Sequence, residues 1–171
     1  AEAFSECTDL TGVTIPDSVT SIGDKAFYNC TNLANVTIGS AAKSIGDEAF
    51  NSCTSLINAT IPKSVTSIGF SAFGGCTSLA EITLPFAGAT QNGTENTHFG
   101  YIFGAQSAED NNTYVPEELT DVVIIAPCKK ISASAFSGCE NLTDITIADS
   151  VKSIGERAFY ECIGLTSVSM D

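Results

Sequence analysis

Apolar residues recur along this chain in short blocks, and each block has the alternation of a β-strand with one buried face. In residues 33–38, the side chains of Val36 and Ile38 fall on one side of the extended chain and Thr37 on the other. Leu33 is expected to reach the core at the entrance of the strand. Seven blocks share the pattern L-x-x-[VIA]-x-[ILM], beginning at Leu10, Leu33, Leu56, Leu79, Leu119, Leu142 and Leu165. We therefore predict seven strands that bury equivalent positions.

These blocks follow one another at a fixed period. The leucine that opens each block lies 23 residues after the previous one, except for a single step of 40 residues between Leu79 and Leu119. A fixed period in this range is typical of a solenoid, in which each coil stacks on the one before it. The predicted fold class is α/β and β-rich, a solenoid of about seven 23-residue coils with parallel strands and short helical turns.

The remainder of each coil repeats as well. A proline follows the strand in four coils and ends it, because proline has no N–H to donate to the ladder. A second apolar pair comes next, as at Val19 and Ile22, and then a bend such as Gly23. The following segment has room for about one or two helical turns and carries the motif Ala-Phe-x-x-Cys, whose phenylalanine we expect to point inward. The motif phenylalanines are Phe4, Phe27, Phe50, Phe73, Phe136 and Phe159.

The 40-residue step contains the one departure from the period. Its 17 extra residues divide into seven before Phe103 and ten after it, if Phe103 is aligned with the motif phenylalanines. In this alignment Ile102 replaces the motif alanine, and Phe99 replaces the isoleucine of the second apolar pair. We therefore predict an enlarged, atypical coil with two loop insertions at residues 85–118, inside a single solenoid domain that spans residues 1–171.

The chain carries a formal net charge of −13, from 20 acidic and seven basic residues. Nucleic acid and anionic membranes are poor partners for such a surface. The acidic residues are spread over the coils, which favours a solvated surface over a specific cation site. The sequence has no run of about 18 apolar residues, so we predict no membrane insertion.

Six of the seven cysteines occupy the same position of the repeat, so their side chains should stack at equivalent places in neighbouring coils. Neighbouring Cα atoms at about 5 Å do not exclude a disulfide, but parallel side chains give poor disulfide geometry. We therefore predict buried free thiols that act as small apolar side chains, with Cys128 also buried. Zinc binding is the alternative, and it lacks histidine partners and a C-x-x-C pair. We predict no metal and no cofactor.

The enlarged coil has an unusual composition, since residues 85–118 hold the only histidine and two of the four tyrosines. Loops on a rigid scaffold often carry binding residues, and His98, Tyr101 and Tyr114 are therefore candidate partner-binding residues. The alternative is that the aromatic residues pack the longer loops as a satellite cluster. The polar run at residues 109–112 could hold a cation, but a flexible turn is favoured because the run lacks the spacing of a Ca²⁺ loop. No nucleophile or carboxylate lies at a motif spacing from His98, so no catalytic residue is predicted.

The outward positions of the strands form two further columns. The central column consists of Thr14, Thr37, Thr60, Thr83, Val123, Thr146 and Ser169. The neighbouring column consists of Gly12, Asn35, Asn58, Glu81, Asp121, Asp144 and Ser167. Threonine suits a strand for structural reasons alone, and this explains the first column without a ligand. As a binding face, the second column offers Asn58, Glu81, Asp121 and Asp144, and its acidic part favours a partner with basic groups.

Neither end of the sequence carries a recognisable cap. Residues 1–7 are the last part of a coil, and Met170 lies at the end of the last block. An open solenoid end exposes core and unpaired strand edges. We therefore expect the chain to be a fragment of a longer array, and a signal peptide is not expected within it.

The repeated phrase, S-V-T-S-I-G-D-x-A-F-x-x-C-x-x-L-x-x-[VI]-T-I-P, resembles the BspA-like, Treponema-type leucine-rich repeats over essentially the whole chain. Cysteine precedes the block leucine here, unlike the order in ordinary leucine-rich receptors. The resemblance implies a leucine-rich-repeat solenoid in a secreted or surface-anchored bacterial protein. It also implies an association with adhesion to host matrix proteins and with co-aggregation. The matched positions are structural, so the resemblance assigns no binding residue.

Two classes of function are compatible with these patterns. The first is a non-enzymatic protein-interaction or adhesion module, extracellular or on the cell surface, whose partner is a protein or glycan such as host extracellular matrix. The second is a passive structural spacer that presents other domains. The resemblance and the lack of catalytic motifs favour the first.

Overall fold

The computed structural model describes residues 1–170 as a solenoid of seven coils, each of which contributes a strand of three or four residues to the main face. Five coils contribute a second, two-residue strand to separate sheets. The strands are β1 (Gly12–Ile15), β2 (Ser21–Ile22), β3 (Asn35–Ile38), β4 (Ser44–Ile45), β5 (Asn58–Thr60), β6 (Ser67–Ile68), β7 (Glu81–Leu84), β8 (Asp121–Ile124), β9 (Lys130–Ile131), β10 (Asp144–Ile147), β11 (Ser153–Ile154) and β12 (Ser167–Met170). They confirm the β-rich solenoid that the period predicts.

Strands of neighbouring coils run parallel and pair equivalent positions of the repeat. Gly12 of β1 pairs with Asn35 of β3, so the offset of the register is the 23-residue period itself. The main sheet has the hydrogen-bonded order β12-β10-β8-β7-β5, and β1 and β3 form a separate pair that lies beside β5. Residues at equivalent places in the repeat are therefore neighbours on the surface.

The enlarged coil leaves the main sheet continuous but interrupts the row of short strands. β7 pairs directly with β8, and Glu81 lies opposite Asp121 despite the longer step between them. The short strands instead form two groups, β2-β4-β6 and β9-β11. Thr90, in the first inserted loop, makes an antiparallel bridge to Ser67 of β6. The loop therefore covers an edge of β6 that a regular coil would pair.

The phenylalanines of the repeated motif stack on one another along the core. The ring centroids of Phe4, Phe27, Phe50 and Phe73 follow at 5.2, 5.2 and 5.3 Å, with successive rings within 12° of parallel. Phe50, which has a ring on each side, is fully buried, whereas Phe4 in the first coil is 49% exposed. The inward phenylalanine is confirmed in the inner coils, and its burial depends on the adjacent coils.

The segment that carries Ala-Phe-x-x-Cys consists of hydrogen-bonded turns, and the regular coils within residues 1–170 have no helix at this place. Two residues of each turn have a left-handed backbone, as Lys25 (φ 55°) and Asn29 (φ 56°) do in the second coil. Residues in this conformation do not fit a right-handed helix. The amides of the turn bond to the next coil instead, and that of Phe27 donates to the carbonyl of Ala49 at 2.8 Å.

Helical structure in residues 1–170 is confined to the enlarged coil. It comprises a 3₁₀ helix at Phe99–Phe103, a second 3₁₀ helix at Ala108–Asp110, and α1 at Asn111–Tyr114. Gly104 ends the first of these with a left-handed backbone (φ 110°), a conformation that glycine adopts without strain. The helical turns predicted for every coil therefore occur only where the repeat is interrupted.

The first 3₁₀ helix corrects part of the predicted alignment. Toward the preceding coil the alignment is confirmed, because the amide of Phe73 donates to the carbonyl of Ile102, the residue aligned with the motif alanine, at 2.8 Å. Toward the following coil Phe99 replaces Phe103, since its ring centroid lies 4.8 Å from that of Phe136. Phe103 instead packs edge-on against Phe99, at 5.2 Å. The helix thus places two phenylalanines in the layer of a single coil.

Asn111 fastens the enlarged coil to the coil that follows it. Its side chain is fully buried, and its Oδ1 accepts a hydrogen bond from the amide of Gly100 at 2.9 Å. Its Nδ2 donates to the carbonyl groups of Ala135 and Ser137, at 3.2 and 2.9 Å. A Cβ on residue 100 would lie 2.5 Å from the Asn111 Oδ1, so the contact requires glycine. The flexible turn predicted at residues 109–112 is therefore wrong, because Asn111 begins a helix and anchors it.

The cysteines are free thiols, and several of them donate hydrogen bonds to the previous coil. The Sγ of Cys53 donates to the carbonyl of Phe27 at 3.3 Å, and burial raises the pKa of this thiol to about 12. The equivalent bond is made by Cys30, Cys76 and Cys162. The predicted burial is confirmed for Cys128 and for the motif cysteines of the inner coils. It is wrong for Cys7, which is exposed, and for Cys162, which is half-buried, because each lies in an outermost described coil.

Replacing Phe50 with alanine should lower the free energy of unfolding by about 3–5 kcal/mol, because the change opens a cavity between two stacked rings. The matched control is Phe4→Ala, which removes a half-exposed ring and should cost less than about 2 kcal/mol. Urea unfolding followed by circular dichroism measures both. A loss below roughly 1 kcal/mol for Phe50→Ala would contradict the shared core.

Replacing Asn111 with alanine should lower the free energy of unfolding by about 2–4 kcal/mol, because three backbone groups, two of them buried, lose their partner. Asn112→Ala, at the exposed neighbouring position, should change it by less than about 0.5 kcal/mol. Equal effects of the two changes in urea unfolding would show that Asn111 does not anchor the enlarged coil.

Thiol labelling of the native chain should proceed in clearly separated phases. Cys7 should react first because it is exposed, whereas Cys30, Cys53 and Cys139 should react slowly because burial disfavours the reactive thiolate. Mass spectrometry after a short exposure to iodoacetamide assigns the labelled sites, and Cys7→Ser should remove the fast phase. Fast labelling of Cys53 would contradict its burial, and labelling in guanidinium chloride provides the control for complete reaction.

Candidate interaction surfaces

The four candidate binding residues of the second outward column lie side by side on neighbouring strands. Asn58 of β5 pairs with Glu81 of β7, Glu81 with Asp121 of β8, and Asp121 with Asp144 of β10. Neighbouring strands lie about 4.8 Å apart, so three carboxylate side chains follow one another at this spacing. We call Glu81, Asp121 and Asp144 the acidic row. The register of the main sheet brings these residues together although they are scattered along the chain.

Two side chains of the acidic row are oriented by the threonine that precedes them. The Oγ1 of Thr120 donates to the Oδ2 of Asp121 at 2.6 Å, and the Oγ1 of Thr143 donates to the Oδ2 of Asp144 at 2.8 Å. Alanine precedes Glu81 at the equivalent position, and this glutamate is exposed. The two aspartates are therefore held in place, while the glutamate at the end of the row has no threonine before it to orient its carboxylate.

The acidic row is not neutralised by a basic side chain of the described chain. Within residues 1–170, the two ion pairs join Lys25 to Glu48 and Arg157 to Glu156, away from the row. Like charges at about 5 Å repel each other by on the order of 1 kcal/mol per pair in water. A cationic partner would relieve this repulsion, and the geometry is therefore suited to basic groups.

The surface beside the acidic row is uncharged. The threonine column shares the outward face, and Asn35 and Asn58 continue the column of the acidic row toward the first coil. Ile57, immediately before β5, is 54% exposed and provides an apolar contact next to these amides. The face thus combines carboxylates at one end with hydrogen-bonding and apolar groups at the other.

The prediction that His98 is an exposed candidate for partner binding is wrong, because the residue is buried. Its side chain is only 8% exposed, and its Nε2 lies 3.0 Å from the carbonyl oxygen of Ala105. Its ring packs edge-on against that of Tyr101, with the centroids 6.0 Å apart. The histidine is buried because the longer loop closes over it and provides a backbone partner, as in the satellite cluster considered above.

The two candidate tyrosines of the enlarged coil have different surroundings. Tyr101 is half-buried and packs edge-on against Phe70 at 5.4 Å, and burial and the nearby Asp47 carboxylate raise the pKa of its hydroxyl. Tyr114, at the end of α1, is 45% exposed. The structure therefore leaves Tyr114 as the aromatic residue of this coil best placed for contact with a partner.

The residues predicted as sites occupy two separate regions and do not form a catalytic group. Asn58 and the acidic row lie on the main sheet, whereas His98, Tyr101 and Tyr114 belong to the enlarged coil. Among the described residues, no group of three or more His, Cys, Asp or Glu side chains is arranged to hold a metal ion. Within residues 1–170, no helix has the length and apolar character needed to cross a bilayer.

Comparison with known proteins extends the resemblance seen in the sequence. The profile of the BspA type leucine rich repeat region matches residues 1–97 and 110–171, in six copies. The chain is similar to the leucine rich repeat protein of T. pallidum (TpLRR), with 27% identity and a TM-score of 0.63 over 96% of this chain and 69% of that one. A leucine-rich repeat protein from Eubacterium ventriosum ATCC 27560 has the same fold, with 24% identity and a TM-score of 0.59 over 91% of this chain and 43% of that one. A comparison with curated proteins found no match.

The profile leaves out the part of the enlarged coil in which the repeat is interrupted. Its two matched ranges flank the 3₁₀ helix at Phe99–Phe103, where the Ala-Phe-x-x-Cys motif is missing. On both sides of this helix, the strands, the register and the stacked phenylalanines follow the repeat. The chain therefore belongs to the family of BspA type leucine-rich-repeat proteins.

Proposed function

We propose that this chain is a non-enzymatic protein-interaction module of a secreted or surface-exposed bacterial protein, and that its main sheet binds a basic segment of the partner. Proteins of this family are bacterial repeat proteins that generally serve as protein-interaction modules. The observation that carries the proposal is the acidic row, in which Glu81, Asp121 and Asp144 face outward on adjacent strands without a cation from residues 1–170. The partner is a protein or glycan surface, and host extracellular matrix is a candidate.

The rigidity of the sheet supports this function. The acidic row lies on strands whose inner faces are buried, since Ile82, Val122 and Ile145 belong to the core. A surface that is already ordered does not lose conformational freedom on binding, and more of the contact energy appears as affinity. The net charge of −13 also attracts basic partners over a distance, which raises association rates at low ionic strength.

The buried histidine supports a function without catalysis. The Nε2 of His98 lies within hydrogen-bond distance of a backbone carbonyl oxygen, and the imidazole ring packs edge-on against Tyr101. The motif thiols of the inner coils are buried, and burial raises the pKa of Cys76 and Cys139 far above the ordinary value. Neither type of group is presented to a substrate in the described chain.

We also propose that residues 1–171 act as one solenoid unit, with residues 85–118 as its enlarged coil. Direct pairing of β7 with β8 supports this, because the main sheet crosses the insertion without a gap. The stacked phenylalanines also resume after the insertion, with Phe136 and Phe159 at 5.3 Å. Binding residues on both sides of the insertion then belong to one surface.

A passive spacer is the second candidate function, and one observation favours it. The threonine column is explained by strand propensity and cross-strand contacts, and the Thr146 and Ser169 hydroxyls lie 3.0 Å apart as such contacts require. A spacer needs no acidic row, and substitution of the row would leave its function intact. The two candidates therefore differ in one measurable property, the binding of basic partners to the main sheet.

A labelled peptide of four Lys-Ser repeats should bind the chain at low salt, and its affinity should fall as salt is added. The combined change Glu81→Gln, Asp121→Asn and Asp144→Asn should reduce this affinity by roughly tenfold or more, because it removes the carboxylates from the proposed contact. Fluorescence anisotropy measures the binding of the labelled peptide. Biolayer interferometry repeats the comparison with immobilised matrix proteins.

The matched control changes three exposed carboxyl groups outside the row, by Glu6→Gln, Glu95→Gln and Asp149→Asn. It produces the same change in net charge, so it isolates the contribution of the row from long-range attraction. Equal weakening by both triple variants would remove the row as the binding site. Failure of the unchanged chain to bind the peptide and the matrix proteins would favour the passive spacer.

A further inference from the structure

We propose that a groove beside Tyr114 receives one arginine or lysine side chain of the protein partner, as an anchor next to the acidic row. This inference rests on the proposed function and names a specific contact within it. The groove lies between the enlarged coil and the regular coil before it, and has a volume of about 470 Å³. Its walls include Cys76, Thr77, Phe103, Tyr114, Glu117 and Glu118.

The walls of the groove suit a cation with an apolar stem. Tyr114 offers an exposed ring, and a guanidinium or ammonium group is attracted to the face of such a ring. The exposed Glu117 and Glu118 supply two negative charges at the same groove. None of the lining residues, all of which belong to the described chain, is basic. Charge complementarity therefore favours a basic side chain over an acidic or a purely apolar one.

The position of Tyr114 is set before any partner arrives. Its ring lies against Gly104, where an added Cβ would be 3.3 Å from the Tyr114 Cδ1. The helix α1 that ends at Tyr114 begins at Asn111, whose side chain is bonded to Gly100 and to the following coil. An aromatic side chain supported in this way loses little freedom when it binds a cation.

The groove and the acidic row lie close enough for one partner segment to reach both. Glu118 precedes Asp121 by three residues in the chain, and Leu119 and Thr120 lead directly into β8. Three residues of extended chain span at most about 11 Å. A partner segment with two or more basic residues can therefore place one in the groove and another beside the row.

The decisive experiment uses the whole chain and a small probe, N-acetyl-L-arginine methylamide, followed by NMR of the tyrosine ring signals. The probe should shift the Tyr114 signals by roughly threefold more than those of Tyr160, which is 52% exposed and serves as the internal control. The citrulline analogue has the same shape without the charge, and it should produce much smaller shifts. Equal shifts at both tyrosines, or equal shifts with citrulline, would overturn the proposal.

Variants separate this proposal from the proposed function. Glu117→Gln with Glu118→Gln should reduce the Tyr114 response, whereas the matched pair Glu95→Gln with Glu109→Gln, outside the groove, should leave it unchanged. The triple variant of the acidic row should retain the Tyr114 response, because the groove keeps its own charges. Equal weakening of peptide binding by the row triple variant and its matched control, together with a Tyr114 response that requires Glu117 and Glu118, supports the groove even where the row is not the binding site. A response insensitive to Glu117→Gln with Glu118→Gln would overturn the groove alone.

Discussion

Each coil of this protein depends on its neighbours, because a 23-residue coil is too small to enclose its own leucine and phenylalanine. The rings of Phe27, Phe50 and Phe73 follow at 5.2 and 5.3 Å, close to the spacing of about 4.8 Å between paired strands. Strand pairing and ring stacking therefore favour the same advance per coil. Burial is complete only where a coil has neighbours on both sides, which explains why Phe50 is more buried than Phe4.

The same stacking determines how polar atoms are satisfied. The Oδ1 of Asp47 accepts a hydrogen bond from the amide of Phe70 at 2.7 Å, and the thiol of Cys53 donates to the preceding coil. The first bond spans 23 residues and the second spans 26, and each forms only when the adjacent coil is in place. The enlarged coil has lost part of this pattern, and the single side chain of Asn111 replaces it by bonding Gly100 and the next coil. A long insertion is thereby held by buried hydrogen bonds rather than by the repeat.

The sequence predicts those features that follow from the period alone. Glu81 and Asp121 could be placed opposite each other because each stands two residues after a block leucine. The turns could not be predicted, since the left-handed backbone of Lys25 depends on bonds to the next coil and has no local signal such as glycine. The burial of His98 and Asn111 also depends on partners that are not adjacent in sequence. Polarity indicated exposed or flexible residues there, and tertiary hydrogen bonding determined the outcome.

The acidic row is a consequence of strand register, and the register is held by the core. The packing of the core therefore determines where the proposed binding carboxylates lie. Repulsion among Glu81, Asp121 and Asp144 opposes the pairing of their strands, yet the inner faces of those strands are buried and hold the register. A shift of one residue would exchange inner and outer faces, so the carboxylates cannot separate without exposing the core. The insertion adds the exposed Glu117 and Glu118 without opening the sheet, because its extra residues leave β7 and β8 paired. Charge that is held together against its own repulsion interacts more favourably with a cation than charge free to disperse, because the strands that carry it need no rearrangement on binding.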